Sequence, residues 1–144
     1  MIKFRFITPA DPEYPHELML RWEVLLKPLG LPPGKEQASE ETESLHLIAL
    51  EKKKMIGCVL FCPEGDGRGR LHQLALSEEY HGQGFGRKMI STLEQALITK
   101  GFKEVYLLAP AENVGFYAQM GYESEGEPKK EKGAFWQPMK KNLG

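Results

Sequence analysis

Gly82, Gly84 and Gly86 stand at every second position of Tyr80-His81-Gly82-Gln83-Gly84-Phe85-Gly86-Arg87-Lys88, directly after an apolar, strand-like run and directly before a stretch of helical periodicity. Glycines so spaced let successive backbone N–H groups turn toward one point without Cβ clashes. A helix that starts there adds the positive end of its dipole. The segment therefore reads as a strand–turn–helix junction that cradles a phosphate or pyrophosphate. Two commoner phosphate loops do not fit it. A G-x-G-x-x-G dinucleotide fingerprint counted from Gly82 needs glycine where Arg87 stands, and counted from Gly84 it needs glycine at Met89. A Walker loop closes on Gly-Lys-Ser/Thr, whereas Gly86 is followed by Arg87 and Lys88.

The flanking chain alternates strands and helices. Residues 2 to 7 alternate as a strand, and a helix is expected from about Pro15, with Leu18, Trp22 and Leu25 recurring at helical spacing. It should stop before Pro28, because proline disfavours helical conformation in the residue before it. Residues 28 to 34 read as a loop, and the polar run through Ser44 as a short helix or a mobile connection. Leu45 to Leu50 and Met55 to Phe61 form a hairpin across the charged turn Glu51 to Lys54. Gly65, Gly67 and Gly69 mark the next turn, into a strand Leu71 to Leu76. After the cradle comes a helix with Phe85, Met89, Leu93, Ala96 and Leu97 inward, ended by Gly101. A strand Val105 to Ala109, a short helix from about Asn113 to Met120 closed by Gly121, and a strand pair Tyr122 to Glu125 and Ala134 to Met139 complete the chain. Lys129 to Lys132 read as a solvated hairpin tip.

At 144 residues the chain fits one domain, residues 1–144, with a core large enough to fold without staples. A net charge of −1 argues against sequence-independent nucleic-acid binding, which needs a basic face to displace counterions. The amino-terminal run Met1 to Phe6 alternates apolar and basic residues, unlike a signal peptide, and no stretch approaches the roughly 20 apolar residues of a membrane span. A cytoplasmic protein without a membrane partner is expected. Cys58 and Cys62 have no second Cys/His pair at zinc spacing, so they read as reduced thiols, and no metal is implied.

His81-Gly82-Gln83-Gly84-Phe85-Gly86 resembles the acetyl-CoA loop of the Gcn5-related N-acetyltransferases (GNAT), Arg/Gln-x-x-Gly-x-Gly/Ala, with His81 in the first position. Asn113-Val-Gly-Phe-Tyr-Ala-Gln-Met-Gly-Tyr122 resembles a second motif of that family in its later half, with the spacing Phe116-Tyr117…Gly121-Tyr122 preserved. The element order matches too, so the resemblance covers nearly the whole chain and is weakest over residues 28 to 44. It implies an α/β (α+β) fold: a central mixed, mostly antiparallel sheet of six to seven strands, splayed between strands 4 and 5 and flanked by three to four helices. It also implies acetyl-CoA as cosubstrate. The diphosphate would lie against His81, Gly82, Gln83, Gly84, Phe85, Gly86 and Arg87, and the pantetheine arm along Leu74, Ala75 and Leu76. Asn113 resembles the residue that contacts the arm or orders the helix start, and Tyr117 the tyrosine that points at the sulfur. A phenol with a pKa of about 10 stays protonated at neutral pH and can donate to a departing thiolate. Tyr122 reads as core.

A base must take the proton of the attacking amine. His72 stands two residues before Leu74, so strict alternation puts both side chains on one face. An ordinary imidazole pKa of about 6.5 suits proton acceptance, and a water relay is the alternative. His72 also resembles a strand histidine of one family member. Arg70 stands where histone-type members carry a glutamate base, which excludes that base here. His46 and Glu51 are weaker candidates. The first helix, residues 28 to 44 and the last hairpin border the acceptor side in the resembled family. Glu36, Glu40, Glu41 and Glu43 there read as a solvated acidic run that can also attract a cationic amine. The expectation is a single-domain N-acetyltransferase that acts by direct transfer in a ternary complex. A small-molecule amine is favoured over a protein amine, since no feature suggests an extended peptide groove, and a homodimer is compatible with this reading. The rival is a non-catalytic acyl-CoA-binding sensor or interaction domain, which the presence of Tyr117 disfavours. Longer acyl chains stay open, because acyl length depends on cavity depth.

Overall fold

A computed structural model describes residues 1–34, 40–131 and 133–144. The elements run β1 (Ile2–Ile7), α1 (Tyr14–Arg21), β2 (Leu45–Glu51), β3 (Lys54–Gly65), β4 (Arg68–Leu76), α2 (Phe85–Thr99), β5 (Glu104–Pro110), α3 (Val114–Gln119), β6 (Glu123–Ser124), β7 (Lys129–Glu131) and β8 (Ala134–Asn142). All strands join one eight-stranded sheet, ordered β1-β2-β3-β4-β5-β8-β6, with β7 also paired to β8. The pairings are antiparallel except β4 with β5. The sheet carries one strand more than the upper expectation, because the chain after Gly121 lays down three strands rather than a pair. Lys129–Glu131 is one of these, paired to β8 with exposed side chains, and Lys132 lies outside the described residues.

Both faces of the sheet are covered, which is why β2 and β3 read as unbroken apolar runs. On one face Leu47, Ala49, Val59, Phe61 and Leu71 pack with Met89, Ile90, Leu93 and Leu97 of α2. On the other, Ile48, Cys58 and Ala75 meet Ile7 and Leu20. Gly69 is a strand residue rather than part of the turn. A Cβ there would lie 2.4 Å from the Phe61 ring and 2.5 Å from the Cys62 carbonyl, so only glycine lets β3 and β4 close at this point.

The first helix departs from expectation in two ways. It does not stop before Pro28. It continues as a π turn over Trp22–Leu26 and a 3₁₀ turn over Lys27–Leu29, ended by Gly30 in the left-handed region at φ 78°. Pro28 falls at the start of the 3₁₀ turn, where no N–H is required. Its buried face is also different: Tyr14, Glu17, Leu20 and Arg21 point inward, while Leu18 and Trp22 are only half-buried. Trp22 Nε1 donates to the Leu31 carbonyl at 3.0 Å. The acidic run is not simply solvated, for Glu41 is buried and Glu40 is half-buried and paired with Arg70 at 3.4 Å. Glu36, and the rest of residues 35–39 in that stretch, lie outside the described residues.

Candidate active site

β4 and β5 are hydrogen-bonded only at their starts. Arg68, Gly69 and Arg70 pair with Glu104, Val105 and Tyr106, after which β4 runs on to Leu76 and β5 to Pro110 unpaired to each other. The splay expected from the resemblance is therefore present. The gap opens into a cleft of about 600 Å³ lined by Leu74 and Leu76 of β4, the cradle, Asn113, Phe116 and Tyr117. Val24 and Leu25 of the π turn close it from the α1 side. A broader groove of about 1010 Å³, between α1 and the β2–β3 hairpin, adjoins it and shares Val24, Leu76 and His81.

The cradle has the geometry its glycines predict. Gly82 and Gly84 are left-handed at φ 75° and 83°, and no atom lies within 4 Å of where a Cβ would stand on either. Gly84 is the N-cap of α2 and no side chain caps that end. The first-turn N–H groups of a fifteen-residue helix are thus left to an external acceptor. His81 lines the cleft, and its Nε2–H donates to the Leu76 carbonyl at 2.6 Å, tying the end of β4 to the cradle. Arg87 lines the cleft too and donates through Nη2 to Gln119 Oε1 at 2.7 Å, bridging α2 and α3. These residues fit a diphosphate: an uncapped helix start, open space at Gly82 and Gly84, and the Arg87 side chain line one cleft.

Tyr117 belongs to the α2-side core, packed edge-on against Phe116 and Tyr122 with ring centroids 5.1 and 5.7 Å away. Burial alone pushes its phenol up to about 12, so the hydroxyl holds its proton firmly at neutral pH. Tyr122 is core, as expected, and its hydroxyl donates to Glu94 at 2.8 Å. Asn113 makes no cap hydrogen bond to α3 and lines the cleft instead.

The structure brings Leu74, Leu76, His81, Gly82, Gly84, Phe85, Gly86, Arg87, Asn113 and Tyr117 to one cleft. Three expected site residues are not on its wall. Ala75 points to the α1-side core. Gln83 turns its side-chain amide to the Glu79 carbonyl at 3.0 Å. His72 lies on the face opposite Leu74, which corrects the expectation from strict alternation. The cause is a β-bulge. Cys58 pairs with Ala75 and Leu60 with His72, so Gln73 and Leu74 together oppose the single residue Val59, with Gln73 at φ 55°. The extra residue reverses the alternation, placing His72 with Leu60, Cys58 and Ala75 on the α1 side. There burial, and then the charge of Arg70, lower its pKa to about 4. Its Nε2 is buried and has no hydrogen-bond partner among the described residues. Sequence reasoning also missed Val24, Leu25 and Phe116 as cleft walls. Phe116 was within a matched motif, but Val24 and Leu25 reach the cleft only because α1 continues as a π turn.

Residues 32–143 match the family model described as an acetyltransferase (GNAT) domain. An acetyltransferase of Yersinia pestis is 30% identical over 115 residues, covering 76% of this chain and 81% of the relative. The chloroplastic GCN5-related N-acetyltransferase 2 of Arabidopsis thaliana is 30% identical over 88 residues, 61% of this chain, and the match spans only 33% of that relative's length. Among solved structures, an acyl-CoA N-acyltransferase from Pseudomonas aeruginosa shares the fold at a TM-score of 0.86, covering 98% of this chain and 99% of its own, at 21% identity. With its sheet, splay, glycine cradle and matched domain, the chain belongs to the GNAT acetyltransferase family.

Proposed function

We propose that this chain is a single-domain, acetyl-CoA-dependent N-acetyltransferase that passes the acetyl group directly to a primary amine in a ternary complex. The observation that carries the reading is the gap between β4 and β5, with an anion cradle and a protonated tyrosine on one cleft. Acetyl-CoA supplies the activated acetyl thioester. The cradle amides and Arg87 hold its diphosphate. The unpaired edge of β4 at Leu74 and Leu76 offers backbone groups to the pantetheine arm, as an added strand would find them. A backbone N–H freed there polarises the thioester carbonyl in an apolar cleft, where such a bond is strong. Asn113 contacts the arm, and Tyr117 Oη gives its proton to the leaving sulfur. An imidazole held at about 4 and off the cleft wall is a weak base at neutral pH, so the amine's proton leaves through water rather than directly to His72.

A small amine suits the site better than a protein amine, because the cleft of about 600 Å³ and its adjoining groove of about 1010 Å³ are of small-molecule size. The free thiols of Cys58 and Cys62 support a reducing, cytoplasmic setting. Among the described residues no helix is long and apolar enough to cross a membrane.

Calorimetry with acetyl-CoA and a panel of primary amines read out by free CoA thiol test the proposal together. Binding with release on at least one amine is expected. Binding without release on any amine would hand the site to a non-catalytic acyl-CoA sensor, and absence of binding would end the reading. Gly84→Glu is expected to abolish acetyl-CoA binding, since it puts a carboxylate in the cradle at a left-handed position.

A further inference from the structure

The side chains of Tyr14, Glu17, Arg21, Glu41 and His46 are shut together where α1 meets the chain around the start of β2. Glu17, Arg21 and His46 are fully buried, and Tyr14 and Glu41 nearly so. Arg21 donates through Nη1 to Glu17 Oε2 at 2.7 Å and Glu41 Oε1 at 3.0 Å, and through Nη2 to Glu41 Oε2 at 2.7 Å. The Tyr14 hydroxyl also donates to Glu41. His46 meets an acceptor at each ring nitrogen: Nδ1–H donates to Glu17 Oε2 at 2.9 Å, and Nε2–H to the Glu41 backbone carbonyl at 2.7 Å. A carboxylate and a carbonyl can only accept, so the ring carries both protons and is cationic. Two carboxylates, one guanidinium and one imidazolium then sum to zero charge. Burial pulls the His46 pKa down, but the bonds to Glu17 and the Glu41 carbonyl outweigh it and hold the ring above its ordinary value.

Buried ion clusters add little net stability, because desolvation offsets their attraction. What this one does is fix the path of the chain, joining α1 to residues 40–46. Glu40, next to Glu41, pairs with Arg70 on β4, two residues from His72. His46, Leu60 and His72 form one cross-strand row. The cluster, the Glu40–Arg70 pair and the unpartnered His72 Nε2 therefore lie on the same face of the sheet.

We propose that the Glu17–Arg21–Glu41–His46 cluster is a positioning device that clamps residues 40–46 to α1, holds Glu40 against Arg70, and so fixes the surroundings of His72 on the acceptor side. The last clause rests on the functional reading above; the clamp itself does not. His46 is faced by Tyr14, Glu17 and Arg21 from α1 and by Glu41, and His72 by Arg70, Glu40, Arg21 and Glu41.

His46→Gln in the full chain, with amide hydrogen exchange and NMR of ring-labelled histidines, is the test. Exchange over residues 40–46 should quicken by at least about tenfold while α2 is unchanged, and the His72 ring signals should move. Unchanged exchange over residues 40–46, or quickening that includes α2 and so means plain loss of stability, would overturn the clamp, and unmoved His72 signals would overturn its hold on the surroundings of His72. Titrating the unaltered protein keeps the question open to test if the variant does not fold. The His46 signals should stay cationic above the ordinary imidazole value of about 6.5, and His72 should respond in the step where His46 loses its proton. A silent His72 in that step would refute the coupling. Acetyl-CoA calorimetry on the unaltered protein separates the two readings: failure to bind removes the assigned function and leaves the exchange data to judge the clamp.

Discussion

Tyr117 shows how one residue's role depends on what surrounds it rather than on its own chemistry. An exposed phenol and this one differ by burial alone, yet burial takes the hydroxyl to about 12 and secures its proton over the whole physiological range. Tyr117→Phe removes the oxygen and keeps the ring packing against Phe116 and Tyr122. Turnover by thiol release should fall about a hundredfold with acetyl-CoA affinity nearly unchanged in calorimetry, the signature of a group that acts only in the transition state. That Tyr117, Asn113 and the cradle glycines share one cleft was legible in the sequence, because local backbone needs and motif spacing fix their places. The face occupied by His72 was not, since one bulge residue, Gln73, undoes alternation and leaves no mark in composition. Glu17 and Arg21 were missed for the opposite reason. Charged residues at i and i+4 look like a solvated helix face, and their inward orientation depends on Glu41 and His46, which arrive from a distant part of the chain.

At the scale of elements, close approach and charge decide how the layers meet. Gly69→Ala forces a methyl into the Phe61 ring and the Cys62 backbone, and should cost about 1–3 kcal/mol in urea unfolding. Gly57→Ala should cost less, because the contact at 2.8 Å is the Met89 sulfur at the end of a flexible side chain. The buried His46 imidazole and the half-buried His72 imidazole, both on the α1 face, work against each other with pH. The folded pKa of His46 lies above its unfolded value, so its stabilisation is whole below about pH 6.5 and is lost as pH rises through the folded value. For His72 the folded value is lowered to about 4, so its stabilisation is whole above the ordinary imidazole value of about 6.5 and is lost as pH falls toward 4. Urea midpoints should therefore peak near pH 6.5, each imidazole sloping by no more than about 1.4 kcal/mol per pH unit. His72→Gln should flatten the acid side and His46→Gln the alkaline side.

For the whole molecule, ligand binding should be read as stability. If acetyl-CoA binds only the folded chain, a hundredfold excess over its Kd adds about 2.7 kcal/mol, which a thermal-shift assay registers as several degrees in Tm. Gly84→Glu should show no shift. The order of strands and helices was legible because each run had a clear period and its own punctuation in glycine or proline. The strand tail was less so: β6 and β7 are two and three residues long, exposed, and made into strands only by β8 beside them. The bulge at Gln73 has a further consequence for how this sheet can vary. Loss of that one codon would restore even phase along β4 and turn its upstream half over, sending Arg70 and His72 into the oily layer beneath α2 and Leu71 out toward the charges beside α1. Which layer Arg70 and His72 face is thus written as a count of residues along the strand.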